Sequence, residues 1–468
     1  MSPSVDPFWL LMGALALLPL ALLACLHAPA AIAFGFVAVL CVCSASTWGQ
    51  LQEDNTIYSR GTGLFSFSLL NLSLWVAVAA ALVREAVHRL RQSPPSPFVP
   101  FLLAFGFLLS AHLALGLAEG IDVLAVLGYN GILNVLNMAL FALLLLLALR
   151  DEQDRRRLLL LILVLAALRA VFGLVRYAFF GGDDANPYRN FERLDITLVY
   201  FDIADNFIAA LAAFCIAWLL LMPEARLTMA RKLGLLILLA MELATVALSF
   251  RRSSLIGLGL MSVVLLWQLP WQRRLAFGGF GALALLGAAG TLMRERLAAN
   301  STGGGFLSSL LYDVGPDRAT DVSRFYELEA AAQSLDGHWL FGLGSWGSFY
   351  GNEDALDYHF GKFDFVHSGF GHLLLKSGFA GLALFVALLA ACIAHYLKRR
   401  SALRGNSALL ADAGMAGLLF WMPTLLIGTP VIEFRTMLLL GLTLALPYLS
   451  ARLPSARQPH WSPHHAAA

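Results

Sequence analysis

Apolar residues fall along the chain in long runs divided by short polar clusters. A helix needs roughly 20 residues to cross a hydrocarbon core, and runs near that length predict spans over approximately 8–26, 30–47, 64–83, 98–118, 128–149, 158–180, 199–222, 233–250, 254–269, 275–293, 377–397, 408–428 and 437–451. The ninth is the shortest, and little more than His27, Ala28 and Pro29 separates the first two. The expected fold is all-α, a polytopic membrane protein of 12–13 transmembrane helices. No internal repeat and no inverted pair of broken helices stands out, so residues 1–468 read as one membrane-embedded domain.

The polar clusters alternate in charge. One set holds Arg84, Arg89 and Arg91, then Arg150 with Arg155, Arg156 and Arg157, then Arg226, Arg231 and Lys232. Arg273 and Arg274 continue it, followed by Lys398, Arg399, Arg400 and Arg404 and by Arg452 and Arg457 in the tail. Short basic loops stay in the cytoplasm. By parity the other set faces the periplasm or exterior: 48–63, 119–127, 181–198, the tight turn 251–253, the stretch from Arg294 to about Val366, and 429–436. Any chemistry is expected on that outer face.

Composition supports a bilayer as the solvent. The chain is 59% hydrophobic and 13% charged, against about 25% charged in a soluble domain. The net charge of +2 gives no reason to expect nucleic acid as a partner. Cys25, Cys41, Cys43, Cys215 and Cys392 all fall inside apolar runs, which suits small buried hydrophobes and predicts neither disulfide nor metal. The first run lacks a basic lead and is followed at once by another, so it reads as a retained helix, not a cleaved signal.

One extramembrane segment is large, the periplasmic loop 294–366 between the tenth and eleventh spans. It opens on Asn300-Ser301-Thr302-Gly303-Gly304-Gly305, passes through an amphipathic helix at Arg324 to Ser334, and continues into a Gly and aromatic stretch from Trp339 to Tyr350. Long loops of this kind are usually functional or disordered, and these aromatics predict a partly helical cap.

Arg251 and Arg252 break the charge rule, lying adjacent in a tight outer turn. Placing an arginine at mid-membrane costs on the order of 2.5–3.5 kcal/mol, less near the interface, so something anionic should compensate. Asp202, Asp205 or lipid phosphates would serve; so would a phosphate or diphosphate ligand, which suits the planar fork of arginine. Arg169 and Arg176 in the sixth span, Arg324 in the loop helix and Arg435 beyond the twelfth span lie on or near the same side. Arg176 reads equally as a ligand contact or as the partner of an aspartate on the next helix. His367 and His372 stand where the loop re-enters the membrane. An interfacial histidine is commonly structural, yet beside arginines a neutral imidazole could take a proton from a hydroxyl.

These residues resemble the O-antigen ligase and polysaccharide polymerase superfamily of bacterial envelope proteins. Its signature is His, then Asn, Ser or Gln, nine residues, Gly, two residues, then Gly, Thr or Tyr. Here it reads His367, Ser368, nine residues to Ser377, Gly378, Phe379, Ala380 and Gly381. Arg324 followed by the Gly-rich turn Trp339 to Gly344 is similar as well, and Arg252-Ser253-Ser254 looks like the outer Ser-Arg-small element. The chain departs in carrying Arg251 where that pattern has Ser, so either arginine could fill the role. The resemblance covers roughly 233–400.

What it implies is metal-independent, cofactor-free, inverting transfer of a glycan from an undecaprenyl-diphosphate donor. The acceptor would be a hydroxyl of lipid A core, as in an O-antigen ligase, or of a second lipid-linked glycan, as in a polymerase. His367 would activate the hydroxyl, and Arg251 or Arg252 with Arg324 would hold the diphosphate. Arg176, Arg435, His372 and Ser368 are further expected substrate contacts. The competing classes are a non-enzymatic transporter or flippase of the same lipid, and a membrane scaffold.

Overall fold

The computed structural model describes residues 23–24, 26–43, 58, 67–87, 96–128, 131–183, 197–222, 228–275, 278–279, 319–351, 362–428 and 430–450, with only the backbone described for 319–325. The first and tenth expected spans lie almost wholly outside these residues.

Among the described residues, eleven long helices build the membrane body: α1 (Pro29–Val42), α2 (Leu69–Val87), α3 (Phe98–Ala118), α5 (Leu133–Ala148), α6 (Glu152–Phe179), α7 (Ile203–Leu221), α8 (Met229–Ala247), α9 (Arg252–Gln268), α11 (Gly369–Arg399), α12 (Gly405–Ile427) and α13 (Phe434–Ser450). A single turn, α4 (Val123–Val126), links α3 to α5. The cap holds α10 (Ala319–Gln333) and a two-stranded ribbon in which β1 (Phe349–Tyr350) pairs antiparallel with β2 (Lys362–Phe363). Six of the helices are long and apolar enough to cross a bilayer unaided. The chain is an all-α polytopic membrane protein.

Burial sorts the helices into a centre and a rim. In α5, α7 and α13 nearly every side chain is buried, whereas α2, α3, α6 and α8 turn residues such as Leu103, Phe107, Leu160, Leu168 and Leu236 outward. Water would penalise that surface and lipid does not. α12 packs against α9 and α13, and α13 against α5. Small residues permit these close approaches: a Cβ on Gly257 would meet Phe420 at 2.8 Å, and one on Gly417 would meet Thr443 at 2.9 Å.

Four charges lie together inside the bundle. Arg169 on α6 donates from Nε and Nη2 to Asp205 at 3.2 and 3.0 Å. Arg435 on α13 reaches Asp205 at 2.6 Å and Asp202 at 2.7 Å. The same guanidinium groups cap α1, because Arg435 donates to the carbonyl of Leu40 and Arg169 to that of Val42. Helix C-terminal carbonyls lack intrahelical donors and carry partial negative charge. The two aspartates considered as partners for Arg251 and Arg252 are thus engaged by Arg169 and Arg435.

Asp205→Ala should strand two guanidinium groups and cost about 3–5 kcal/mol, the range for a broken buried pair. Thermal unfolding in detergent should reveal it as a lower midpoint and lower membrane abundance.

Candidate functional site

The cap meets the membrane body through α11. The helix begins at Gly369, eight residues before the expected eleventh span, because Ser368 caps it: the Ser368 hydroxyl accepts from Gly371 N at 3.1 Å. A Ser at this position supplies an acceptor to an otherwise orphaned first-turn amide. The helix then breaks at Gly378, where φ is +61°, in the left-handed region that favours glycine.

The Gly and aromatic stretch fills that break. Phe379 N donates to the Trp339 carbonyl at 2.8 Å, Ala380 N to that of Leu340 at 3.0 Å, and Leu343 N to that of Leu375 at 2.9 Å. Gly342 sits so close that a Cβ there would lie 2.6 Å from Gly378 N. Lys376, fully buried, donates to the carbonyls of Ser345 and Gly347 at 3.1 and 2.6 Å, and the His112 Nε2 of α3 lies 3.0 Å from the Phe341 carbonyl. The two glycine-containing motifs are therefore two halves of one joint.

Above the joint a small core of Ala330, Ala331, Phe349, Val366 and Leu375 seats α10 on α11. It brings Glu327 against His367. The buried Glu327 carboxylate lies 3.0 and 3.1 Å from His367 Nδ1 and accepts from His367 N at 3.2 Å, while the imidazole is one-third exposed. A proton held on Nδ1 by that carboxylate leaves Nε2 as the basic nitrogen. Sequence reading passed over Glu327, although it stands one helical turn after Arg324. The Arg324 backbone falls within α10, and its side chain lies outside the described residues.

Arg251 and Arg252 open α9. Phe250 precedes them with φ +53°, so the turn expected at 251–253 closes at 248–250. Arg251 occupies the cap position without side-chain capping, donates to the Phe201 carbonyl and lies 4.6 Å above the Phe201 ring. Arg252 is the first helical residue, and Ser254, fully buried, has no partner for its hydroxyl. A helix start carries partial positive charge, so two guanidinium groups there are locally unfavourable and favour an anion.

The two groups lie at one end of the bundle, flanking the connector between α12 and α13. A Cβ on Gly369 would touch Leu425 of α12 and Val431 of that connector, and Glu433 at its end is within electrostatic reach of Arg251 and Asp202. Glu433 is exposed at the surface, and its surroundings, with Asp202 beside it, push its carboxyl upward.

The other expected contacts are placed differently. Arg176 pairs with Asp183, in the connector after α6, at 3.2 Å and donates to the Val199 carbonyl at 2.7 Å. The pairing partner is thus not on the next helix. Arg435 belongs to the buried charge cluster, Ser368 is a helix cap, and His372 is fully buried one turn into α11.

Fold and site together define a many-helix membrane protein with a folded cap and a cation-rich end. Residues 234–386, from α8 through the cap to the middle of α11, match the family model described as O-antigen ligase. The match bears out the resemblance to the O-antigen ligase and polymerase superfamily, whose members are glycosyltransferase-like membrane enzymes acting on lipid-linked glycans. No curated protein matches the chain.

Gly378→Val should force a left-handed position onto a branched residue and collide with the Leu340 carbonyl. The expected result is a chain still inserted in the membrane but newly cleaved by protease within 338–347, read by mass spectrometry of the fragments.

Proposed function

We propose that the chain transfers a glycan from undecaprenyl diphosphate to an acceptor hydroxyl at the periplasmic face of the bacterial inner membrane. The observation that carries this reading is the contact between Glu327 and His367, which joins the cap to the motif histidine at the end of the bundle that also holds Arg251 and Arg252.

In the proposed step the acceptor oxygen attacks the anomeric carbon of the donor sugar and its proton passes to His367 Nε2. The bond from that carbon to the diphosphate oxygen breaks, the electron pair leaves with the lipid diphosphate, and the configuration inverts. Glu327 is a positioning residue, since it orients the imidazole and stabilises the imidazolium as it forms. Arg252 or Arg251, with Arg324, holds the diphosphate; their charge counts most as the leaving group gains its negative charge. None of these roles calls on a metal or cofactor. Arg176, His372, Ser368 and Arg435 then act by shaping the site, because the contacts described above already occupy the side chains of Ser368 and Arg435 and the Nη2 of Arg176.

The positive-inside rule supports the sidedness: the ends opposite His367 carry Arg150, Arg155, Arg273, Arg400 and Arg404. We favour ligation to lipid A core over polymerisation of lipid-linked repeats. A deletion strain separates the two: full-length polymer left on the carrier lipid means ligase, and single repeat units mean polymerase. A flippase would instead leave the undecaprenyl-linked glycan on the cytoplasmic side.

His367→Ala should lower transfer roughly 10²–10⁴-fold, the span of general base catalysis, at unchanged membrane abundance; near-normal transfer would remove the proposed base. Glu327→Gln should lower kcat by about 10²-fold or more through the wrong imidazole tautomer, with KM for the donor little changed. Arg324→Lys should impair transfer despite keeping its charge, because an ammonium lacks the two-pronged grip.

A further inference from the structure

At the end of α11 remote from His367 two cavities adjoin. The helix runs from Gly369 to Arg399 with its break at Gly378, and the stretch after the break alone spans about 30 Å at 1.5 Å per residue. The first, about 600 Å³, is lined by Trp218, Gln268, Gln272, Arg273, Arg400 and Arg404 among others. The second, about 420 Å³, lies between Val263, Trp267, Leu397, Met415 and Leu419, and shares Gln268 and Arg400 with the first. Volumes of this order suit a small ligand or part of a larger one.

The wall between the cavities is built rather than incidental. Asp412, fully buried on α12, accepts from Arg400 Nε and Nη2 at 2.5 and 2.8 Å, from Trp218 Nε1 at 2.9 Å and from the Tyr396 hydroxyl at 2.9 Å. Gln268 Nε2 donates to the same Tyr396 hydroxyl at 3.3 Å. One carboxylate is therefore saturated, and its charge balances Arg400 alone. Arg273 and Arg404 add two exposed guanidinium groups, and among the described residues no acidic side chain lines either cavity. Arg404 donates to the carbonyls of Ser401 and Leu403 at 2.8 Å, which orients it without neutralising it.

The second cavity is apolar, and its rim turns outward: Val263, Trp267 and Leu397 are 49%, 75% and 67% exposed. A positive chamber thus opens onto a hydrocarbon groove at the basic end of the bundle. A free phosphate would answer the charge and leave the groove empty; a zwitterionic lipid would fill the groove and leave the charge unanswered.

We propose that these joined cavities bind an anionic phospholipid of the leaflet on the basic side, with its headgroup phosphate against Arg273 and Arg404 and an acyl chain along the Val263 to Leu419 groove. Guanidinium forks match phosphate oxygens, and each arginine near a membrane surface adds about 1 kcal/mol of attraction for acidic lipid. Neither His367 nor the transfer reaction takes part, so the test below is independent of the proposed function.

The full-length protein, purified in detergent and equilibrated with equimolar phosphatidylglycerol and phosphatidylcholine, is analysed by native mass spectrometry. Bound phosphatidylglycerol should be enriched about thirtyfold, in keeping with two surface guanidinium groups, and the double variant Arg273→Gln with Arg404→Gln should fall to parity with unchanged elution and melting. Enrichment that persists in the double variant overturns the proposal. Val263→Trp, which fills the groove and spares the arginines, should lower total retained lipid; unchanged retention overturns the acyl-chain half. Inorganic phosphate alone should leave the melting midpoint unmoved, and a stabilisation matching that of phosphatidylglycerol would assign the site to a free anion instead.

Discussion

Charge buried in an apolar bundle must be matched where it lies, because neither lipid nor packed side chains can solvate it. Asp205, with Asp202 beside it, meets that demand for the centre of this protein. It accepts from helices that are far apart in sequence and, through their guanidinium groups, holds the last turn of α1. Two positive and two negative groups leave the cluster neutral. Asp205 is thereby committed to Arg169 and Arg435.

The same rule recurs at the opposite end in Asp412 and Arg400. There too one carboxylate is fully committed and neighbouring arginines stand beyond its reach. Among the described residues, each end of the bundle thus carries further arginines near a neutralised ion cluster. At one end an imidazole and a cap accompany them. At the other an apolar groove does.

Much of this was legible in the sequence. Helices such as α3 and α5 coincide with their apolar runs because length and polarity alone define a span. The start of α11 was not, since the apolar run opens only at Ser377, whereas the helix begins at Gly369, Lys376 is satisfied by carbonyls of the cap, and Gly378 marks a break inside the helix. His367 was visible as part of a spaced motif. Glu327 was not, because one acidic residue on an amphipathic helix looks like solvated surface, and only the seating of α10 on α11 turns it inward. Partner choice among the buried arginines was likewise hidden: spacing placed Arg176 near aspartates on the following helix, whereas the chain doubles back at Gly181 and Gly182 and offers Asp183 first.

The joint between the cap and the broken helix ties the proposed base to the lid. His367 lies just ahead of α11, its carboxylate partner belongs to α10, and the Trp339 to Gly344 turn is bonded into the break at Gly378. A rearrangement that lifts the cap to admit a long lipid-linked polymer would pull Glu327 off the ring. In that open state the imidazole would lose the group that fixes its tautomer, at the moment when bulk water reaches the activated sugar. Under the proposed chemistry, this coupling would guard the donor against wasteful hydrolysis while it waits for its acceptor.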